Sequence, residues 1–471
     1  MLCSLLVARP PISLVYVAPT YLSYFEERQL TSRIVWREVC SQGETLRSRI
    51  GFIINRIRER LWVRPLAFCL LSLGGVFLAK VPDFYNLGTS LPKIHPDSVE
   101  ALLTVVASSM LVIATFAVGS MVSAYASAAV NATPRSFPLV VADDVSQNAL
   151  SVFVGAFIFS LIALVALKNQ YYEEAGHFSL FVLTLFVFAW VIVTFVRWVD
   201  TIARLGRLGT TIDKVEAATA KALQARLRDR NLGGVPVSES SADSSVISAT
   251  EVGYLQHIDV AALQACAEKW SLRITVALLP GAFVTLDKPL GSYVSTDQGA
   301  PADVDLTSLA SAFQIGESRV YEDDPRFGLI ALSEIASRAL SPAVNDPGTA
   351  IDVIGRLLRL FTEWGSAAKH ADNEAEPQFD RIEIPEIEVS DMFDDAFSPI
   401  ARDGAGTVEV QIRLQKALAS LASVGNEDIE TAAVRHSRLA LKRARQALNL
   451  EEDIETVAKA AQWSKESSMP N

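Results

Sequence analysis

Four apolar stretches alternate with polar ones along the first 200 residues, and the second of them sets the frame for the rest. Residues 101–130 read ALLTVVASSMLVIATFAVGSMVSAYASAAV, thirty positions with no charge and no proline. An α-helix needs roughly 20 apolar residues to cross the hydrocarbon core of a bilayer, so this segment predicts a spanning helix with length to spare. Its second half carries Gly119, Ser123 and Ser127 at i, i+4 and i+8, with Ser120, Ala124 and Ala128 alongside. A face this small lets another helix approach closely. Leu111, Val112, Phe116 and Val122 are the positions expected to meet lipid instead, which places the helix inside a bundle. Close packing accounts for the small face by itself; a pore or substrate path along the serines is the other reading.

Three more spans follow from the same pattern, near 65–80, 145–167 and 178–196. The first is short unless Arg64 and Lys80 extend their charged ends to the interface. The last is rich in large side chains, Phe181, Phe186, Phe188, Trp190 and Phe195, and is expected to face lipid. Ahead of them, residues 1–64 form an N-terminal arm broken by Pro10, Pro11 and Pro19, then a basic amphipathic helix. There Ile50, Ile53, Ile54, Ile57 and Leu61 recur at helical spacing among arginines, the pattern of a helix lying in a membrane interface. The expected domains are thus 1–64, a transmembrane part over 65–200, a helix and Ser-rich linker over 201–250, and an α+β domain over 251–471.

Charge orients this layout. Arg56, Arg58, Arg60, Arg64, Arg135, Arg197, Arg204 and Arg207 flank one side of the spans, and only Lys80, Lys93 and Lys168 the other. The excess of cations marks the cytoplasmic side, so both termini are expected there. Residues 197–471 carry 28 Lys and Arg against 41 Asp and Glu, a net charge of −13 that argues against a nucleic-acid partner. With 50% hydrophobic residues yet 20% charged, the composition fits a membrane part joined to a soluble one. Cys3, Cys40, Cys69 and Cys266 are far apart and suggest neither a disulfide framework nor a zinc site.

Beyond the fourth span the pattern predicts a helix over 200–229 running straight out of the membrane, then the linker GGVPVSESSADSSVISATE. An Asp259-capped helix to Trp270 follows, then strands near 272–279 and 282–286 about a Pro280-Gly281 turn, resembling a small barrel or sandwich hairpin. Lys288 reads as an ordinary surface turn residue. Two helices open on Asp324-Pro325 and Asp346-Pro347, each with an aspartate cap and proline in the first turn, and form a hairpin. RIEIPEIEV reads as an edge strand broken by Pro385. Helices complete the chain from about Val408, among them RHSRLALKRARQALNL with a solvated basic face.

No P-loop, HEXXH or GXSXG motif is present, the five histidines are scattered, and no cofactor is implied. The acidic run from Glu376 to Asp395 lacks the glycine and spacing of a calcium loop and reads as a solvated face. Asp324, Arg326, Asn345 and Asp346 are the candidate ligand or partner site, although capping alone explains both aspartates. Because short connections make helices antiparallel, these groups need not converge within one hairpin. The spans hold no Asp, Glu, Lys, Arg or His, which disfavours ion-coupled transport.

The block VEALLTVVASSMLVIATFAVGSMVSAYASAAV, then TPRSFPLVVADDVSQNALSVFVGAFIFSLIAL, GYLQHID and EDDPRFGLIALSEIASRALSPAVNDPGTAID resemble the bacterial predicted membrane proteins grouped as domain of unknown function 2254. The likeness runs from about Leu61 to the mid-300s and more weakly beyond. It departs in the first forty residues and at 121–127, where MVSAYAS replaces a more usual Gln-containing stretch. The resemblance implies architecture and no activity: a membrane α-helical bundle of about four spans in a bacterial inner membrane, with a C-terminal cytoplasmic α+β domain. The leading expectation is an oligomeric, channel-like protein in which Gly119, Ser120, Ser123 and Ser127 pack about a central axis and the C-terminal domain gates or senses. Its partners would be the bilayer, further copies of itself and a cytoplasmic protein or small ligand. The alternative is a non-transporting scaffold or sensor; an enzyme on envelope substrates would rest on the Asp and Asn residues alone.

Overall fold

The apolar runs become helices because nothing within them breaks the backbone ladder and their side chains tolerate lipid. In the computed structural model, which describes residues 63–85, 92–131, 133–141, 143–204, 207–238, 244–296, 304–368 and 377–466, four helices are long and apolar enough to cross a membrane. The N-terminal arm and basic amphipathic helix expected over 1–64 lie outside the described residues as far as position 62.

The spans are α1 (Val63–Leu78), continued by the single turn α2 (Val81–Phe84); α3 (Pro96–Asn131); α5 (Asp144–Lys168), after the short α4 (Phe137–Val141); and α6 (Glu174–Arg204). The first span therefore reaches Phe84 rather than stopping near residue 80, and Lys80 and Asp83 fall in its last turns. Both are engaged. Lys80 sits 3.7 Å from the Tyr171 ring centroid, and Asp83 accepts the amides of Glu173 (3.1 Å) and Gly176 (2.6 Å) at the start of α6.

Packing ranks the spans. The helix most enclosed by its neighbours is α5, half of whose apolar window is buried, against 22% for α3. Gly155 of α5 explains the close approach to α1: a Cβ there would meet the Phe68 Cβ at 3.1 Å, and the Ser72 hydroxyl donates to the Gly155 carbonyl at 2.9 Å. α3 comes next, burying Leu103, Val106, Met110, Ala114 and Ala117 at steps of three and four against α5 and α6. Its Leu111, Val112, Phe116 and Val122 are exposed, as expected, and so are Phe186, Phe188 and Trp190 of α6.

Between α3 and α5 the chain turns through α4, and this loop meets the C-terminal region. Asp143 caps α5 by accepting the Ser146 amide at 3.0 Å and pairs with Lys214 at 2.9 Å. Burial by itself would raise its carboxyl, but these hydrogen bonds and the Lys214 charge hold it below the usual carboxylate range. Arg135 pairs with Glu334, and its carbonyl accepts the Tyr321 hydroxyl at 3.0 Å.

Lys214 belongs to α7 (Leu208–Arg228). The sequence predicts one helix running out of the fourth span; instead Arg207 is extended (φ −72°, ψ 138°) and α7 starts afresh. The reason is a change of solvent. α6 is apolar around most of its surface, whereas Ile212, Val215 and Leu223 form a single stripe on α7 that needs a soluble core. That core contains α10 (Pro325–Ala339), α11 (Pro347–Ala368), α12 (Val389–Asp403), α13 (Val408–Ala422) and α14 (Glu427–Ala447). Phe361, Phe393 and Phe397 meet at its centre with ring centroids 4.5 to 5.5 Å apart. α15 (Glu451–Ala460) and the short α16 (Trp463–Glu466) close the chain against α13 and α14.

The strands sit in a separate lobe with its own core. β1 (Ser245–Ser248), β5 (Pro289–Ser295), β3 (Leu272–Val276) and β7 (Ile382–Glu383) form one sheet in that order; β4 (Phe283–Val284), β2 (Gly253–Ile258) and β6 (Phe313–Gly316) form a second. Leu255, Leu263, Ile274, Val284 and Ile382 fill the space they share with α8 (Val260–Lys269); α9 (Leu306–Ser311) lies beside it. The Pro280-Gly281 turn does not close a hairpin. β3 and β4 belong to different sheets, and Gly281, at φ +95°, turns the chain from one to the other.

Two further readings change. RIEIPEIEV gives an edge strand that ends at Glu383, and its Val389 opens α12. The acidic run is only partly a solvated face: on α12, Asp391 and Asp395 bind Arg326, and Asp394 binds Arg435 at 2.6 Å. The basic face of α14 is correspondingly engaged, with Arg438 donating to the Ser464 carbonyl and Arg443 to that of Ser398.

Candidate functional site

Among the described residues, the small face of α3 opens onto a groove. Gly119, Ser123 and Ser127 are exposed and Ser120 is half-buried, and together with Phe116, Ala124 and Ile202 they line an open groove of about 560 Å³. A Cβ added at Gly119 would meet nothing within 4 Å. The helix therefore presents two unlike sides: an apolar stripe that packs on α5 and α6, and a hydroxyl-bearing side that no other part of the described chain covers at Gly119.

In the C-terminal region, helix capping fixes both aspartates of the second candidate site. Asp324 is buried and accepts the Phe327 amide at 3.1 Å, while Arg319 donates to its two oxygens at 2.6 and 2.9 Å. Burial pushes this carboxyl up, and the Arg319 and Phe327 donors pull it back. Asp346 accepts the Thr349 amide (3.1 Å) and hydroxyl (2.6 Å), bonds that hold it below the usual range. Arg326 bridges Asp391 (2.5 Å) and Asp395 (2.6 Å), joining α10 to α12. Asn345 is exposed with φ +49°, a left-handed geometry that asparagine tolerates better than most residues. The structure does not unite these groups: α10 is 15 residues long, so at 1.5 Å per residue its two ends are roughly 22 Å apart.

Around Asp324 the structure instead brings together segments whose meeting the sequence did not foresee. The DDPRFG and YLQHID segments meet: His257 Nδ1 lies 2.5 Å from Asp323 Oδ2, and the Gln256 side chain donates to the Ser318 carbonyl at 2.6 Å. Burial would lower the His257 imidazole, but Asp323 outweighs it and the group titrates above its usual value. Gly281 lies against Asp324 so closely that a Cβ would collide with the carboxylate. The result is a polar seam between the smaller sheet and the helical core. Its pairs span 62 to 66 positions, and the early signal was that both segments, GYLQHID and EDDPRFG, stand among the blocks that carry the family resemblance. Among the described residues, no group of three or more His, Cys, Asp or Glu is placed to hold a metal ion.

Comparison with known proteins sets these residues in context. The family model described as Predicted membrane protein (DUF2254) matches residues 58–420. An uncharacterized protein of Mycobacterium bovis and one of Mycobacterium tuberculosis are each 27% identical over 334 residues, covering 67% of this chain. The chain covers 62% of the length of those relatives. No solved structure matches.

Proposed function

The chain belongs to the family of predicted membrane proteins with domain of unknown function 2254, and from that premise we propose that it works as a homo-oligomeric, channel-like protein regulated by its C-terminal region. The observation that carries this reading is the open groove at Gly119, Ser120, Ser123 and Ser127. In a bilayer a small-residue face gains most from another helix, since side chains too short to reach lipid forfeit dispersion contacts. A second copy of the same helix supplies that contact, and three or more copies about an axis turn the serine hydroxyls toward a shared centre.

Regulation enters through the α4 loop. The Arg135–Glu334 and Asp143–Lys214 pairs tie the loop between α3 and α5, and the start of α5, to α10 and α7, so movement in the soluble core reaches the groove helix through that loop and through the α5 surface on which α3 packs. The reading includes a bacterial inner-membrane location with both termini cytoplasmic, supported by the arginines clustered at one end of the spans.

Native mass spectrometry of the protein in nanodiscs, with the 51.2 kDa chain as the unit, tests it first. A single closed oligomer of three or more chains, dispersed by Gly119→Leu, is the expected result, followed by solute or ion flux in liposomes. A monomer, or an oligomer that passes nothing under voltage, osmotic shock or ligand, overturns the channel reading.

A further inference from the structure

A cavity of about 500 Å³ opens in the helical core, lined by none of the groove or seam residues. That volume is typical of small-molecule sites. Its walls include Arg226 of α7, Trp364 of α11, Arg435 of α14 and the first turns of α12 and α14.

Arg226 is the unusual member. It is 4% exposed; among the described residues its Nε and Nη1 have no hydrogen-bond partner, and Nη2 reaches only the Pro385 carbonyl, at 3.4 Å. Asp229, Asp323 and Glu386 act on it through space without bonding to it. A buried guanidinium lacking acceptors is costly to keep. The turn of α12 beside it is also short of partners: its N-cap, Glu388, makes no side-chain capping bond, whereas Asn426 caps α14 by accepting the Ile429 amide at 3.0 Å. Unpaired guanidinium donors and an uncapped helix start both call for an anion.

The remaining wall limits what kind of anion. Glu386, Glu388, Glu427 and Asp428 also line the cavity, and Arg435 is already bound to Asp394 at 2.6 and 2.7 Å. A polyanion would be repelled. We propose that the cavity binds a small zwitterion, with its carboxylate or phosphate on Arg226 and the first turn of α12 and its amine toward Glu386 and the neighbouring carboxylates. This assignment does not depend on the membrane part conducting anything.

Isothermal titration of the full chain in nanodiscs tests it, with phosphoethanolamine and glutamine as probes and inorganic pyrophosphate as the polyanion. One zwitterion is expected to bind, the winner telling a phosphate head from a carboxylate head, and pyrophosphate to bind more weakly. Arg226→Met should weaken binding at least tenfold. Glu386→Gln, at an exposed position and so without risk to the fold, should weaken the zwitterion and narrow its advantage over pyrophosphate. Absence of binding by both zwitterions, preference for pyrophosphate, or unchanged affinity in the Arg226 and Glu386 variants would overturn the assignment.

Discussion

Two faces of small residues, one on each of two adjacent spans, have opposite fates. On α5, Ser151, Gly155 and Ala156 are buried, and Gly155 lies against the Phe68 and Ser72 side chains of α1. On α3, Gly119, Ser123 and Ser127 have the same texture yet line an open groove. The composition of a membrane helix face reveals how closely a neighbour can approach; whether that neighbour belongs to the same chain is decided elsewhere. Here α1 takes the α5 face, whereas among the described residues the one on α3 stays open at Gly119.

Substitution separates the two most sharply at their glycines. Gly155→Leu should be the most damaging change, costing about 1–3 kcal/mol or more through overpacking, because even a bare Cβ sits 3.1 Å from Phe68; thermal unfolding in detergent reads it. Gly119→Leu should move the unfolding free energy by less than about 0.5 kcal/mol, since the added atoms enter open space, while shifting the native mass toward monomer. If both variants unfold alike, the contrast between the faces is lost.

The loop joining α3 to α5 gives a smaller effect with a definite pH sign. Asp143 has its pKa lowered on folding, so its contribution is present above the unfolded value of 3.8 and disappears as pH falls through the depressed folded value. Asp143→Asn should cost about 1–2 kcal/mol at neutral pH and flatten that acid limb in a series of melts.

His257 has the opposite sign and lies outside the membrane. Its pKa is raised, so the stability from its bond to Asp323 is complete below 6.5 and is lost as pH rises through the folded value. His257→Gln should remove this dependence, a difference of about 1 kcal/mol or less, and leave the native mass unchanged. The smallest effect belongs to Ser123→Ala, which should leave the unfolding free energy within about 0.5 kcal/mol and change only conduction, if the hydroxyl meets a solute.

Much of the layout was legible because its causes are local. Four apolar runs give four helices long enough to cross a membrane, and Asp259, Asp324 and Asp346 cap the helices they precede. What escaped depends on distant partners. Pro385 and the acids around it hid α12, whose apolar stripe of Met392, Phe393, Ala396 and Phe397 is held by a core assembled from five other helices. The bond from His257 to Asp323 joins residues 66 positions apart, and no periodicity announces it. Gly155 and Gly119 sit in runs of similar composition, so only packing could rank them.

The small lobe carries a last consequence, for the order of biosynthesis. Its larger sheet takes β7 from beyond residue 380, parallel to β3, and Val235, just after α7, exchanges backbone bonds with Ile382 and Ile384 at 2.8 and 2.9 Å. A ribosome releases β1 to β6 more than sixty residues before the strand that completes them. The lobe must wait, half-built, while α10 and α11 emerge between its parts. Fold completion is thereby tied to synthesis of half of the helical core, α7, α10 and α11, and a chain interrupted before Ile384 would reach the membrane with its spans in place and its sheet unfinished.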